Sequence, residues 1–300
     1  MKIRFVPAVL LSAAFLLSML IISSCQKENS QNGTDEEQEI AASRASSESD
    51  SEAEIVFNGI FDDAMGVNDE VGLGGTGVFG RPNVCPVVTV TRQNPPDLFP
   101  VRIVMDFGNN GCVGPDGHFR KGKIITEYSN RLLVPGAVAV TVFDGFYFDS
   151  TKVEGTHKIT NISTVSSTNV PVDRKFKVNI INAKLTKPNG NFIEWTSEKV
   201  ITQLEGLATA APVDDIFKIE GGSTGRVKRG QLLVGWQSNI IEPLVKRFNC
   251  RWIVRGVIKT VRLNATTNSP WVAVLNFGSG NCDNLAVVTI NGVSYQITLP

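Results

Sequence analysis

Few residues in this sequence could do chemistry. The chain of 300 residues holds two histidines, His118 and His157, and five cysteines. Histidine is the side chain that titrates near neutrality, so two of them leave little for acid–base catalysis or imidazole ligation. Three phrases imitate functional motifs and fail on their surroundings. Asp106-Phe107-Gly108 spells a kinase magnesium loop, yet no catalytic loop and no glycine-rich loop over a strand accompany it. Gly72, Gly74 and Gly77 satisfy G-x-G-x-x-G, but a helical pattern precedes them and none follows, the reverse of a dinucleotide site. Gly221-Gly222-Ser223-Thr224-Gly225 satisfies G-x-S-x-G, whereas a nucleophile elbow needs a following helix and a downstream histidine. Both histidines lie upstream. His157 reads as a strand residue and His118 as a loop residue. The best acidic pair, Asp214-Asp215, sits where a loop runs into a strand. The expectation is a chain with no catalytic residue, no metal ligand and no cofactor. Glycan hydrolysis by carboxylates distant in sequence remains the least favoured alternative.

One cysteine carries a different chemistry. Lys2 and Arg4 precede an unbroken apolar run from Phe5 to Ile22, and Ser23 and Ser24 stand directly before Cys25. This ending resembles the lipobox of bacterial lipoproteins. The resemblance implies that residues 1–24 are a signal peptide, and that the Cys25 thiol is acylated with diacylglycerol and becomes the mature N-terminus. Gln26 is not the aspartate that retains such proteins at the inner membrane, which points to the outer membrane, on its cell-surface or periplasmic face. Residues 26–54 hold nine Asp and Glu against Lys27 and Arg44, and they resemble the acidic tether of surface lipoproteins from Bacteroidota-type bacteria. With so little apolar surface, residues 25–54 are expected to be a lipidated cysteine followed by a disordered leash. The body from Ile55 onward carries 25 basic and 20 acidic residues, a surplus too small and too dispersed for nucleic acid.

The remaining four cysteines fall in a repeat. Cys85 opens a strand, a proline-rich loop follows, and a second strand ends in "DFGNNGC" at Cys112. Cys250 opens another strand, a polar loop follows, and "NFGSGNC" ends at Cys282. Each unit, 85–112 and 250–282, is a hairpin with a cysteine at each outer end. Four cysteines allow three connectivities. The symmetry favours Cys85–Cys112 and Cys250–Cys282, because residues flanking a hairpin reach neighbouring strands. Phe107 and Phe277 then anchor each strand end, and the glycines turn the chain before the cysteine. Oxygen-rich clusters around Asp106, Asn109, Asn110 and Asp116, or Asn281, Asp283 and Asn284, offer calcium as an alternative. Their spacing matches no EF-hand, and the glycines suffice for turns.

The elements that would position these residues are mostly strands. Phe57, Ile60, Phe61, Ala64 and Met65 share a helical face, which predicts one short helix at the start of a single domain spanning 55–300. From Val87 onward, β-branched and aromatic runs alternate with turn signals, which predicts an all-β antiparallel meander. An Asn291-Gly292 loop pairs Ile290 with Val293, Val288 with Tyr295 and Ala286 with Ile297. A phase slip near Ile181-Asn182 predicts a bulge. About a dozen strands must curl into a half-barrel or split into a sandwich, and the bulky inward residues favour the sandwich. Asp149-Ser150-Thr151 resembles the acceptor triplet of an envelope O-glycosylation system, with Ser150 as the modified residue. The body resembles β-rich lipoproteins of Bacteroidota-type envelopes, a likeness that brings no activity with it. The expected role is a lipid-anchored, non-enzymatic binding or structural module, its partner an envelope protein, a glycan or a lipid. The rival is a carrier of a hydrophobic ligand in a curved half-barrel.

Overall fold

The computed structural model describes residues 35–67, 71, 86–114, 116–167, 172–207, 214–263 and 271–299. Cys25, Cys85 and the three glycines at 72, 74 and 77 therefore lie outside the described residues. The chain divides into two compact units, residues 1–38 and 39–300. The first is described only where α1 (Asp35–Gly66), the one helix among the described residues, begins. The second contains the rest of α1 and every strand.

The strands run β1 (Val87–Arg92), β2 (Val101–Asp106), β3 (Cys112–Val113), β4 (Phe119–Tyr128) and β5 (Val138–Phe148). They continue as β6 (Thr151–Asn161), β7 (Lys175–Thr186), β8 (Phe192–Glu205), β9 (Ile216–Arg229) and β10 (Leu232–Arg247). The last are β11 (Ile253–Arg262), β12 (Val272–Ser279), β13 (Leu285–Ile290) and β14 (Val293–Thr298). All belong to one open sheet in chain order, with the short β3 paired beside β4. The expected antiparallel meander is what forms, and of the two architectures it is the single curved sheet, not the sandwich. Chain-order pairing follows from the short turns, since hairpins join antiparallel neighbours without a crossover.

The curvature follows from which strands touch the helix. Thirteen strands side by side would span roughly 58 Å if flat, at about 4.8 Å per step, whereas a helix is only about 10–12 Å across. Yet α1 meets strands from one side of the sheet to the other. The Tyr128 hydroxyl of β4 donates to the Ala64 carbonyl at 2.9 Å. Phe61 packs edge-on against Phe176 of β7 at 5.8 Å. Arg229 at the end of β9 donates to Glu48 at 2.6 Å, and Arg44 lies 6.0 Å from the Tyr295 ring of β14. Adjacent helix residues settle the shape: Asp62 meets Lys246 of β10 and Asp63 meets Arg120 of β4, six strand steps apart, which only a sheet rolled around the helix allows. A line of register shifts produces the roll: Lys121/Lys123, Val142/Tyr147, Glu154/Thr156, Ile180/Ala183, Asn239/Leu244 and Arg255/Val257. Each bulge bends its strand and increases local twist. The slip at Ile181-Asn182 is one of them, with Asn182 at φ 50°.

The helix itself corrects an expectation. It spans 32 residues, not the short stretch near Phe57–Met65, and the leash predicted up to residue 54 is helical from Asp35 onward. Between Ala45 and Val67, nearly every side chain is buried, polar ones included. Composition alone is a sound guide to an isolated segment, but this segment is not isolated. Its Ser and Ala side chains are small enough for a sheet to close over them, and the sheet brings the cations its carboxylates need. No described helix is long and apolar enough to cross a membrane.

The last hairpin forms in the register predicted, with Ile290 opposite Val293, Val288 opposite Tyr295 and Ala286 opposite Ile297. Ala286, Val288, Ile290 and Ile297 are buried, while Val293 beside the turn is exposed.

Candidate functional site

The lumen of the rolled sheet is organised around acidic residues of α1. Asp50, 1% exposed, accepts three hydrogen bonds on Oδ1. The donors are the indole nitrogens of Trp195 and Trp236 at 2.8 and 3.1 Å and the Ser223 hydroxyl at 2.5 Å. One turn on, Glu54 accepts from Lys199 Nζ at 2.7 Å, both groups almost fully buried. Glu48 meets Arg229, Glu52 meets Lys187, and Glu39 meets Arg262. Near the helix C-terminus, Asp62 meets Lys246, and Asp63 accepts from Arg120 Nε at 2.8 Å while Asp116 takes its Nη2 at 2.7 Å. Burial pushes the Asp62 carboxyl up to about 6, against the pull of Lys246.

The sheet makes room for this helix with one line of side chains, six of them small Ser or Thr and the other two His157 and Ile180. Thr126, Thr141, His157, Ile180, Ser197, Ser223, Ser238 and Thr260 pair in register across eight consecutive strands, all buried. The helix meets this line through Asp50 on the Ser223 hydroxyl and through Phe57 on the His157 ring. Thr126 bonds Thr141, and Ser238 bonds Thr260, each at 2.8 Å. Gly225 belongs to the same provision: a Cβ there would lie 2.4 Å from the Trp236 ring.

The residues singled out from the sequence scatter over this frame. Ser223 sits mid-strand with its hydroxyl on Asp50, which explains the G-x-S-x-G match without a nucleophile. His157 stacks against Phe57, ring centroids 6.3 Å apart, and burial alone pushes it down to about 3. His118 Nδ1 donates to Asp149 Oδ2 at 2.5 Å, and its ring lies 4.5 Å from that of Phe148. Burial lowers the His118 pKa although Asp149 pulls the other way. Asp215 accepts from Gln203 at 2.7 Å and is raised to about 6 by burial. Asp149 and Ser150 form the two-residue β5–β6 turn at φ 46° and 42°, leaving Ser150 exposed. Such a turn needs left-handed backbone at both positions.

The repeated phrase has a single geometry. Asp106 Oδ1 accepts from Gly108 N at 2.8 Å, and Asn276 Oδ1 accepts from Gly278 N at 2.8 Å. Both glycines have positive φ, and Phe107 and Phe277 are buried. The short acid or amide side chain folds back on the backbone and turns it, a habit of Asp and Asn. Cys250 is bonded to Cys282, Cα atoms 5.8 Å apart, across the ends of β11 and β12. The Cys85–Cys112 pairing lies outside the described residues through Cys85. Among the described residues, no three His, Cys, Asp or Glu side chains converge to hold a metal ion.

With the concave face filled, the concavities described here lie on the convex face. One, of about 780 Å³, lies over β6–β10 and includes Lys158, Asn179, Thr196, Glu198, Gly222 and Asn239. A hollow of about 500 Å³ adjoins it and shares Thr196 and Thr224. The convex face elsewhere carries Lys177, Lys218, Glu220, Arg226 and Lys228, which suits water and not hydrocarbon. Sequence reasoning missed the acidic half of the helix and its partners. The signal was the charge split between residues 26–54 and the body, which marked two parts that neutralise each other. No protein-family model, no curated protein and no solved structure matches the chain.

Proposed function

We propose that this chain is a lipid-anchored cell-envelope protein, held at the outer membrane through Cys25. It acts there as a non-enzymatic binding or structural module on the convex face of its sheet. One observation carries the choice of face. The concave side is filled by the chain's own helix, whose Phe57, Ile60, Phe61, Ala64 and Met65 are all buried. A ligand carrier needs that space empty; a binding module does not. The buried ionisable groups of the helix favour the same reading, since Glu54 and Asp63 face structural cations. The anchor is supported by the lipobox-like Ser23-Ser24-Cys25 ending and by the acidic residues after it. A first disulfide, Cys85–Cys112, belongs to the proposal by symmetry with Cys250–Cys282, and non-reducing peptide mapping checks it.

Two measurements test the reading. Metabolic labelling with a fatty acid should mark the wild-type chain, and Cys25→Ala should lose the label and accumulate as precursor. Organic extraction of the purified protein should yield no stoichiometric lipid beyond the covalent anchor. One extractable lipid per chain would make the protein a carrier and the helix a displaceable plug.

A further inference from the structure

The Gly221-Gly222-Ser223-Thr224-Gly225 segment of β9 has a second face. Ser223 points inward to Asp50, whereas Gly222 and Thr224 point outward into the convex trough. Pairing across the sheet places Lys158, Asn179, Glu198, Gly222 and Asn239 in one outward row. Thr196, Thr224 and Gln237 form the row beside it. Gly222 leaves a gap between Glu198 and Asn239, which gives the trough its depth. A Cβ at Gly222 would lie 2.7 Å from the Ser238 carbonyl oxygen, so even alanine crowds the floor.

The lining has a distinct chemistry. Five outward side chains, Asn179, Thr196, Thr224, Gln237 and Asn239, are neutral and carry both donors and acceptors. Glu198 is neutralised by Lys177 Nζ at 2.9 Å and held by Asn179 Nδ2 at 3.0 Å. An apolar ligand would strip these groups of water at a cost of about 1–3 kcal/mol for each one left unpaired. A polyanion finds Lys158 as the one cation of the lining. A peptide cannot add as a strand, because β7, β8 and β9 are paired on both sides. A ligand that is uncharged, dense in hydroxyls and long enough to cross several strands satisfies the five neutral polar side chains, and the C–H faces of its rings can rest on Ile181 and Ile240. The geometry points to a neutral glycan as the ligand of this trough. The inference rests on the convex face being the binding surface, and it names the ligand class for that face.

The test uses the full chain in a detergent without a sugar head group. Affinity electrophoresis is run through gels containing an α-glucan, a β-glucan, a mannan or a galactan, with heparin as the polyanion arm. Retardation by at least one neutral polysaccharide is expected. The double variant Gln237→Ala, Asn239→Ala should weaken it at least tenfold with an unchanged thermal unfolding midpoint. Lys228→Ala, near the end of β9 and beyond the trough, should bind as wild type. Retardation by heparin alone, by none of the polymers, or equally in the double variant overturns the glycan assignment. Failure here, with acylation at Cys25 and no extracted lipid, removes the ligand class and leaves the anchored binding module standing. Stoichiometric extracted lipid instead removes the convex-face reading itself.

Discussion

The two halves of α1 are buried to a similar extent by opposite means. Residues 55–65 are held as cores usually are, with Ile60, Phe61, Ala64 and Met65 packed against aromatic and aliphatic residues of the sheet. Residues 39–54 bury Ser46, Ser49, Asp50 and Glu54 and depend on partners supplied by β8, β9 and β10. A polar helix buried all round is not stable on its own terms, and ordinary amphipathic helices expose such a face. The comparison teaches that burial here is licensed by complementarity. The apolar half would seat in many lumens, whereas the acidic half fits a lumen lined with Trp195, Lys199, Arg229 and Trp236.

The largest expected effect lies in the apolar half. Phe61→Ala removes a ring wedged between Phe176 and Phe217, and should cost about 4 kcal/mol in urea unfolding, with little response to salt. In the acidic half, Glu54→Ala strands the Lys199 ammonium and should cost about 3 kcal/mol. Adding Lys199→Met should recover most of that loss, because the stranded charge is the source of the damage. If the double variant stays as unstable as the single, the pair is not what seats this half.

His157 marks the junction, stacked on Phe57. Its folded pKa of about 3 lies below the unfolded value near 6.5, so the folded state resists protonation and stability falls as pH drops below 6.5. At pH 5 the loss is about 2 kcal/mol. Asp62 and Asp215, raised to about 6, act in the opposite direction, adding stability as pH falls from 7 toward 4. The wild-type profile should therefore be nearly level between pH 7 and 5. His157→Phe should turn it into a rise toward pH 5, seen in thermal melts across that range. The smallest effect belongs to the half-exposed Glu48–Arg229 pair. Glu48→Gln should cost about 0.5 kcal/mol in dilute buffer, and less in high salt.

The strand order, the terminal hairpin register and the bulge at Ile181-Asn182 were legible because period-two patterning and turn residues act locally. The cysteine pairing at 250 and 282 was legible from the symmetry of a hairpin. The choice between sandwich and rolled sheet was not. Val288 and Ile290 point inward in either case, and what they meet depends on residues more than 200 positions away. The acidic half of α1 was illegible for the same reason. Ser49 and Asp50 look like part of a linker until Arg229, Ser223, Trp195 and Trp236 are known to bond them.

The separation between the helix and its partners sets the order in which the molecule can assemble. Glu39 lies 223 residues before Arg262, and Asp50 lies 186 before Trp236. The hairpins close locally and early, while contacts of such span form slowly. The helix is therefore synthesised first and seated last. Until β8 to β11 exist, Glu39, Glu48, Asp50 and Glu54 have no partners but water, and residues 39–54 behave as the acidic segment their composition describes. A nascent chain thus keeps a hydrophilic segment between its N-terminal apolar run and its unfinished sheet, and the same segment becomes the axle once the last strands arrive.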